Sequence, residues 1–178
     1  MLEFLRHPLL RVLMVGLPVL ALQTTLLADM RPFGVAIQAM LLLSIASGIA
    51  GGPERGALVG FVLGFLFDLV LTNPLGLHAL LYALAGFLAG YINSLTLDHP
   101  RWLVMLVVGV VSAASTALYP VAAAMIGEQV EFSTRLITVV IVVSAANVVL
   151  AVPAVWLMRW ALHVRQPDAP LSVRDDAT

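Results

Sequence analysis

An aspartate, a tight turn and a histidine stand together in an otherwise apolar stretch. Residues 68–86 read DLVLTNPLGLHALLYALAG. A carboxylate and an imidazole can move protons or hold a metal, so Asp68 and His78 are the first candidates for chemistry. Either task needs further groups, and the sequence offers none at a useful spacing. It has no HExxH, no glycine-rich phosphate loop and no lysine for a Ser-Lys dyad. The histidines His7, His78, His99 and His163 are scattered, without metal-ligand spacing. An intramembrane protease needs two aspartates or a Ser-His pair within its spans, and Asp68 is the one acid set well inside an apolar segment. The chain is therefore expected not to be an enzyme, with no cofactor and no metal.

A structural role for the same residues follows from helix chemistry. Asn73 is a good N-cap residue, and Pro74 suits a first helical position. A helix starting at this turn, with Gly76 and His78 in it, presents free N–H groups and a positive dipole end. Asp68 can accept from those N–H groups or pair with His78. An ionised acid at mid-bilayer costs roughly 2.5–3.5 kcal/mol. Asp68 sits near the end of its helix, where the cost falls. A clamp, a contact to a partner or ligand, and a proton relay all remain open, although a relay needs more ionisable groups within the membrane.

The elements that position this site are set by composition. Of the 178 residues, 61% are hydrophobic and 11% charged, and the mean hydropathy is +1.04. A soluble domain carries about 25% charged residues, so the chain reads as a polytopic membrane protein. Cysteine is absent, which excludes disulfides, and all nine cationic residues are Arg. The net charge of −1 argues against nucleic acid as a partner.

A membrane span takes about 20 apolar residues. Six segments approach this: 12–28, 33–50, 56–71, 75–93, 102–126 and 136–158. The expected fold class is an all-α bundle of six transmembrane helices, residues 1–160, with a disordered cytoplasmic tail at 161–178. The basic start resembles a signal peptide, but without a convincing cleavage site it reads as a retained first span. With six spans, Arg6, Arg11, Arg55, Arg101, Arg159, Arg165 and Arg174 fall on one side. Arg31 and Arg135 fall on the other. The positive-inside rule then places both termini in the cytoplasm. Pro18, Pro120 and Pro153 lie inside spans and favour kinks.

Small residues recur on the spans beside the turn. Gly56, Gly60, Gly64 and Asp68 are four apart, which keeps them near one helix face. Ala79, Ala83, Gly86, Gly90 and Asn93 form a similar stripe. Helices in lipid associate through close approach of such residues, so both stripes are candidates for a packing seam or for a groove holding a partner helix. Gln23, Thr24, Thr25, Gln38, Ser44, Ser47, Ser112, Ser115, Thr116, Ser144 and Asn147 suit interhelical hydrogen bonds.

The segment GFVLGFLFDLVLTNPLGLHALLYALAGFLAGY at 60–91 resembles the bacterial rod shape-determining protein MreD family. That family has a glycine-bearing helix ending in an acid, a Pro-x-Gly turn, and an apolar helix with late glycines. Asp68, Pro74, Gly76, Gly86 and Gly90 stand at the matching positions. The resemblance is sharp over these residues and otherwise rests on hydropathy and length. It implies a fold similar to the S-components of energy-coupling-factor transporters. It also implies an inner-membrane scaffold of the cell-elongation machinery and of peptidoglycan synthesis. The implied partners are an MreC-type single-span protein and, indirectly, MreB filaments, the RodA glycosyltransferase and a class B penicillin-binding transpeptidase. The alternative is a substrate-binding S-component of an energy-coupling-factor transporter. Against it, the first span lacks the Ala-x-x-x-Ala pattern by which S-components dock.

Overall fold

The computed structural model describes residues 8–25, 35, 37–71, 75–95, 100–127 and 135–162. Among these, all regular structure is helical. Seven helices follow in order: α1 (Pro8–Thr24), α2 (Ala39–Gly51), α3 (Pro53–Val70), α4 (Leu77–Ser94), α5 (Arg101–Met125), α6 (Arg135–Val149) and α7 (Ala151–Ala161). By length and composition α4 and α5 can each cross a membrane, and α6 with α7 forms a third candidate if the bent pair is one span. The chain thus reads as a helical membrane protein, with two or three candidate spans among the described residues. The shorter α1 and α2 are also apolar.

Helix α2 is the centre of the bundle. Every residue from Met40 to Ala50 is buried, and α2 packs against α1, α3, α4, α5 and α7. A helix apolar all round has no face to give to solvent or lipid, so it belongs in the middle. The expected second span began at residue 33, but Ile37 and Gln38 are not helical and α2 starts at Ala39. Gln23 of α1 explains how the chain can start there. Its Oε1 accepts from the Met40 N–H at 2.8 Å, satisfying a donor that an earlier helical turn would otherwise have occupied.

The expected sixth span is broken. Helices α6 and α7 meet at Leu150 with a bend of 61°. Pro153 supplies the reason: it has no N–H for the Val149 carbonyl, and its ring crowds that carbonyl. The proline is placed where it does least harm, in the first turn of α7. Helices α1 and α5 continue through Pro18 and Pro120.

The tail at 163–178 lies outside the described residues. Ala161 and Leu162, expected to be disordered, are instead buried at the end of α7. There, Arg11 of α1 lies over the Trp160 ring at 5.7 Å. The start of α1 and the end of α7 therefore share one end of the bundle.

Candidate functional site

The dominant contact in the molecule is the antiparallel α3–α4 hairpin. On α3, Gly56, Gly60, Gly64 and Asp68 are buried, while Leu58, Phe61, Phe65 and Leu69 are exposed. The glycines and Asp68 face inward together with Val59, Leu63 and Phe67, while these four other large apolar side chains face outward, as suits a helix bordered by lipid rather than water. A Cβ placed on Gly64 would lie 2.6 Å from the Ala79 Cα, and one on Gly90 would lie 2.6 Å from the Gly52 carbonyl carbon. Gly60 faces the Tyr82 carbonyl in the same way. Each step of four up α3 is matched by a step of four down α4.

At the middle of this seam three helices touch backbone to backbone. Gly48 of α2, Gly56 of α3 and Gly86 of α4 form the contact. A Cβ on Gly48 or Gly56 would collide with the Gly86 carbonyl, and one on Gly86 with the Gly56 carbonyl. Ala83 is only half-buried, whereas Ala79, Gly86 and Gly90 are buried. Asn93 donates to the Ile49 carbonyl at 3.2 Å, tying α4 to α2 at the end of the stripe.

Asp68 closes the other end of the hairpin. Its residue is 0% exposed. Oδ2 accepts from the N–H of Gly76 at 2.9 Å and of Ala79 at 3.1 Å. Oδ1 accepts from the N–H of His78 at 3.3 Å and faces His78 Nδ1 at 2.7 Å. A carboxylate has about four lone-pair sites, and here four donors meet it. Helix α4 starts at Leu77, with Gly76 at the N-cap in the left-handed region, φ 100°. The expected start at Asn73 and Pro74 is thereby corrected; those two residues themselves lie outside the described residues. Gly76 has no side chain to cap with, so the cap comes from Asp68 on the preceding helix.

His78 is held from three sides by rings that sequence reasoning did not single out. Phe67 of α3 lies 4.9 Å away edge-on, Tyr82 of α4 at 5.6 Å, and Tyr119 of α5 at 4.8 Å. The His78–Tyr82 spacing of four was a usable signal. Tyr119 had none. The collar and the cap join α3, α4 and α5 at one point.

Several of the other polar residues bond either between helices or within their own helix, whereas the Thr116 and Ser144 hydroxyls have no partner. Asn147 of α6 donates to Ser112 Oγ of α5 at 3.0 Å, and Gln23 bridges α1 and α2. Thr24, Thr25, Ser44 and Ser47 instead bond to carbonyls of their own helices. Short hydroxyl side chains reach the carbonyl one turn back more easily than a neighbouring helix. No group of three or more metal-ligating side chains occurs among the described residues.

The arrangement can fix helices and saturate one buried acid. The family model for rod shape-determining protein MreD matches residues 9–161, which takes in the α3–α4 hairpin and its cap. Comparison with curated proteins and with solved structures gives no match.

Proposed function

From the premise that the chain belongs to the rod shape-determining protein MreD family, we propose that it is a non-enzymatic scaffold of the cell-elongation machinery. The family gives a role in rod-shape determination. We assign the finer role as holding an MreC-type single-span protein in the bacterial inner membrane and so supporting peptidoglycan synthesis. RodA glycosyltransferase, a class B penicillin-binding transpeptidase and MreB filaments are then indirect partners. The observation that carries the scaffold reading is the saturation of Asp68. Its carboxylate is met by backbone and imidazole donors, which suits clamping better than proton transfer.

In this reading α1, α2, α3, α4, α5 and the bent α6–α7 pair make six crossings, in an S-component-like bundle. Arg11, Arg55, Arg101 and Arg159 favour the cytoplasm for their end, and the Arg11–Trp160 contact supports both termini lying on that side. The Asp68 end then faces outward. The glycine faces of α3 and α4 are occupied by each other. An exposed face such as Leu58, Phe61, Phe65 and Leu69 is the better place for a partner helix.

The test is affinity purification in mild detergent from the native membrane, followed by mass spectrometry. An MreC-like bitopic protein with cell-wall synthases is the expected company. Recovery of energy-coupling ATPases and their transmembrane subunit would replace the scaffold with a transport component.

A further inference from the structure

A small polar cavity lies beside the His78 collar, between α2, α4 and α5. Gln38, His78, Tyr82, Ser115, Thr116 and Tyr119 supply its polar lining. Tyr82 and Thr116 are 2% and 5% exposed, yet neither the Tyr82 hydroxyl nor Thr116 Oγ1 has a hydrogen-bond partner. A buried hydroxyl left unmatched costs about 1–3 kcal/mol, so two on one small cavity call for a shared partner.

Size and chemistry narrow the occupant. The cavity offers about 10 Å³ to the centre of a water-sized sphere, which is the room one water needs. Arg and Lys are absent from its lining, which gives an anion no charge partner. The nearby Asp68 carboxylate is already met by four donors, which leaves a cation little to coordinate. Hydroxyl, amide and imidazole groups exclude a stably dry cavity of the apolar kind. We propose that this cavity is a binding site for a single structural water, held jointly by the Tyr82 hydroxyl and Thr116 Oγ1, which locks α4 to α5. The inference is independent of the scaffold reading.

The experiment is water-edited solid-state NMR on the full chain in lipid bilayers. Magnetisation transfer from water is expected at Tyr82 and Thr116 and not at Leu63, which is fully buried in the apolar core. Thr116→Val is expected to abolish the transfer to Tyr82, and Thr116→Ser to restore it. Two results would overturn the site. One is absence of transfer to both residues in the unmodified protein. The other is a Tyr82 signal that keeps full intensity in Thr116→Val, which would mean that the two hydroxyls do not share a water. If Thr116→Val does not fold, the unmodified protein and Tyr82→Phe decide the matter: loss of the Thr116 signal in Tyr82→Phe supports sharing, and its persistence refutes it.

Discussion

The Asp68 carboxylate on α3 lies 2.7 Å from the His78 ring nitrogen on α4 and also accepts the His78 backbone N–H. One residue thus meets both functional groups of the other, across a turn. Removing the acid strands several buried donors at once. Asp68→Ala is expected to cost about 3–5 kcal/mol, since several buried N–H groups lose their acceptor at about 1–3 kcal/mol each. Asp68→Asn keeps one acceptor oxygen and should lose less, about 1–3 kcal/mol. Thermal unfolding in detergent, followed by tryptophan fluorescence, checks the order. Equal melting of the two variants and the parent would remove the clamp.

The three-glycine contact makes a sharper demand. Gly86→Ala adds one methyl group directly against the Gly56 carbonyl. Overpacking of this kind typically costs about 1–3 kcal/mol, and here no flexible side chain can yield. Gly86→Leu and Gly64→Leu should leave little folded protein. Phe61→Leu on the exposed face of α3 serves as the control. Size-exclusion profiles of fluorescent fusions report the result, and monodisperse Gly86→Leu would refute the seam.

The absence of cysteine makes topology directly measurable. Leu75 and Leu95 are exposed at opposite ends of α4. Leu75→Cys is expected to react with an impermeant maleimide in intact spheroplasts, and Leu95→Cys only after permeabilisation. The reverse pattern would invert the assigned orientation.

Pro153 offers a test of the broken helix. Pro153→Ala restores an N–H for the Val149 carbonyl and should reduce the 61° bend. Spin labels at the exposed positions Ile137 and Trp156 would then move apart, toward about 28 Å for an unbroken helix. An unchanged distance would assign the break to packing instead.

Particular residues show what the sequence made legible. The α3–α4 hairpin could be read because its information is local: small residues and one acid recur every fourth position, and a glycine follows the turn. The start of α2 could not, since its cap is Gln23, seventeen residues before Met40. The helix start at Leu77 was missed for a related reason. Asn73 has the chemistry of a cap, but the N-cap position is held by Gly76, and the N–H groups there are met by Asp68 from another helix. Pro153 is visible as a kink, yet the break falls just after Val149, because a proline acts on the carbonyl four residues earlier. Tyr119 joins the His78 collar through tertiary packing alone.

The cap also bears on how the chain enters the bilayer. Helix α3 carries Glu54, Arg55 and Asp68, and only Asp68 among them is buried. Its neutralising donors all belong to residues 76–79, which a ribosome makes later. During synthesis α3 alone is a poor candidate for release into lipid, and it becomes a good one once the first turn of α4 has folded against it. The two helices should therefore leave the translocation channel as a pair, with the acid already covered.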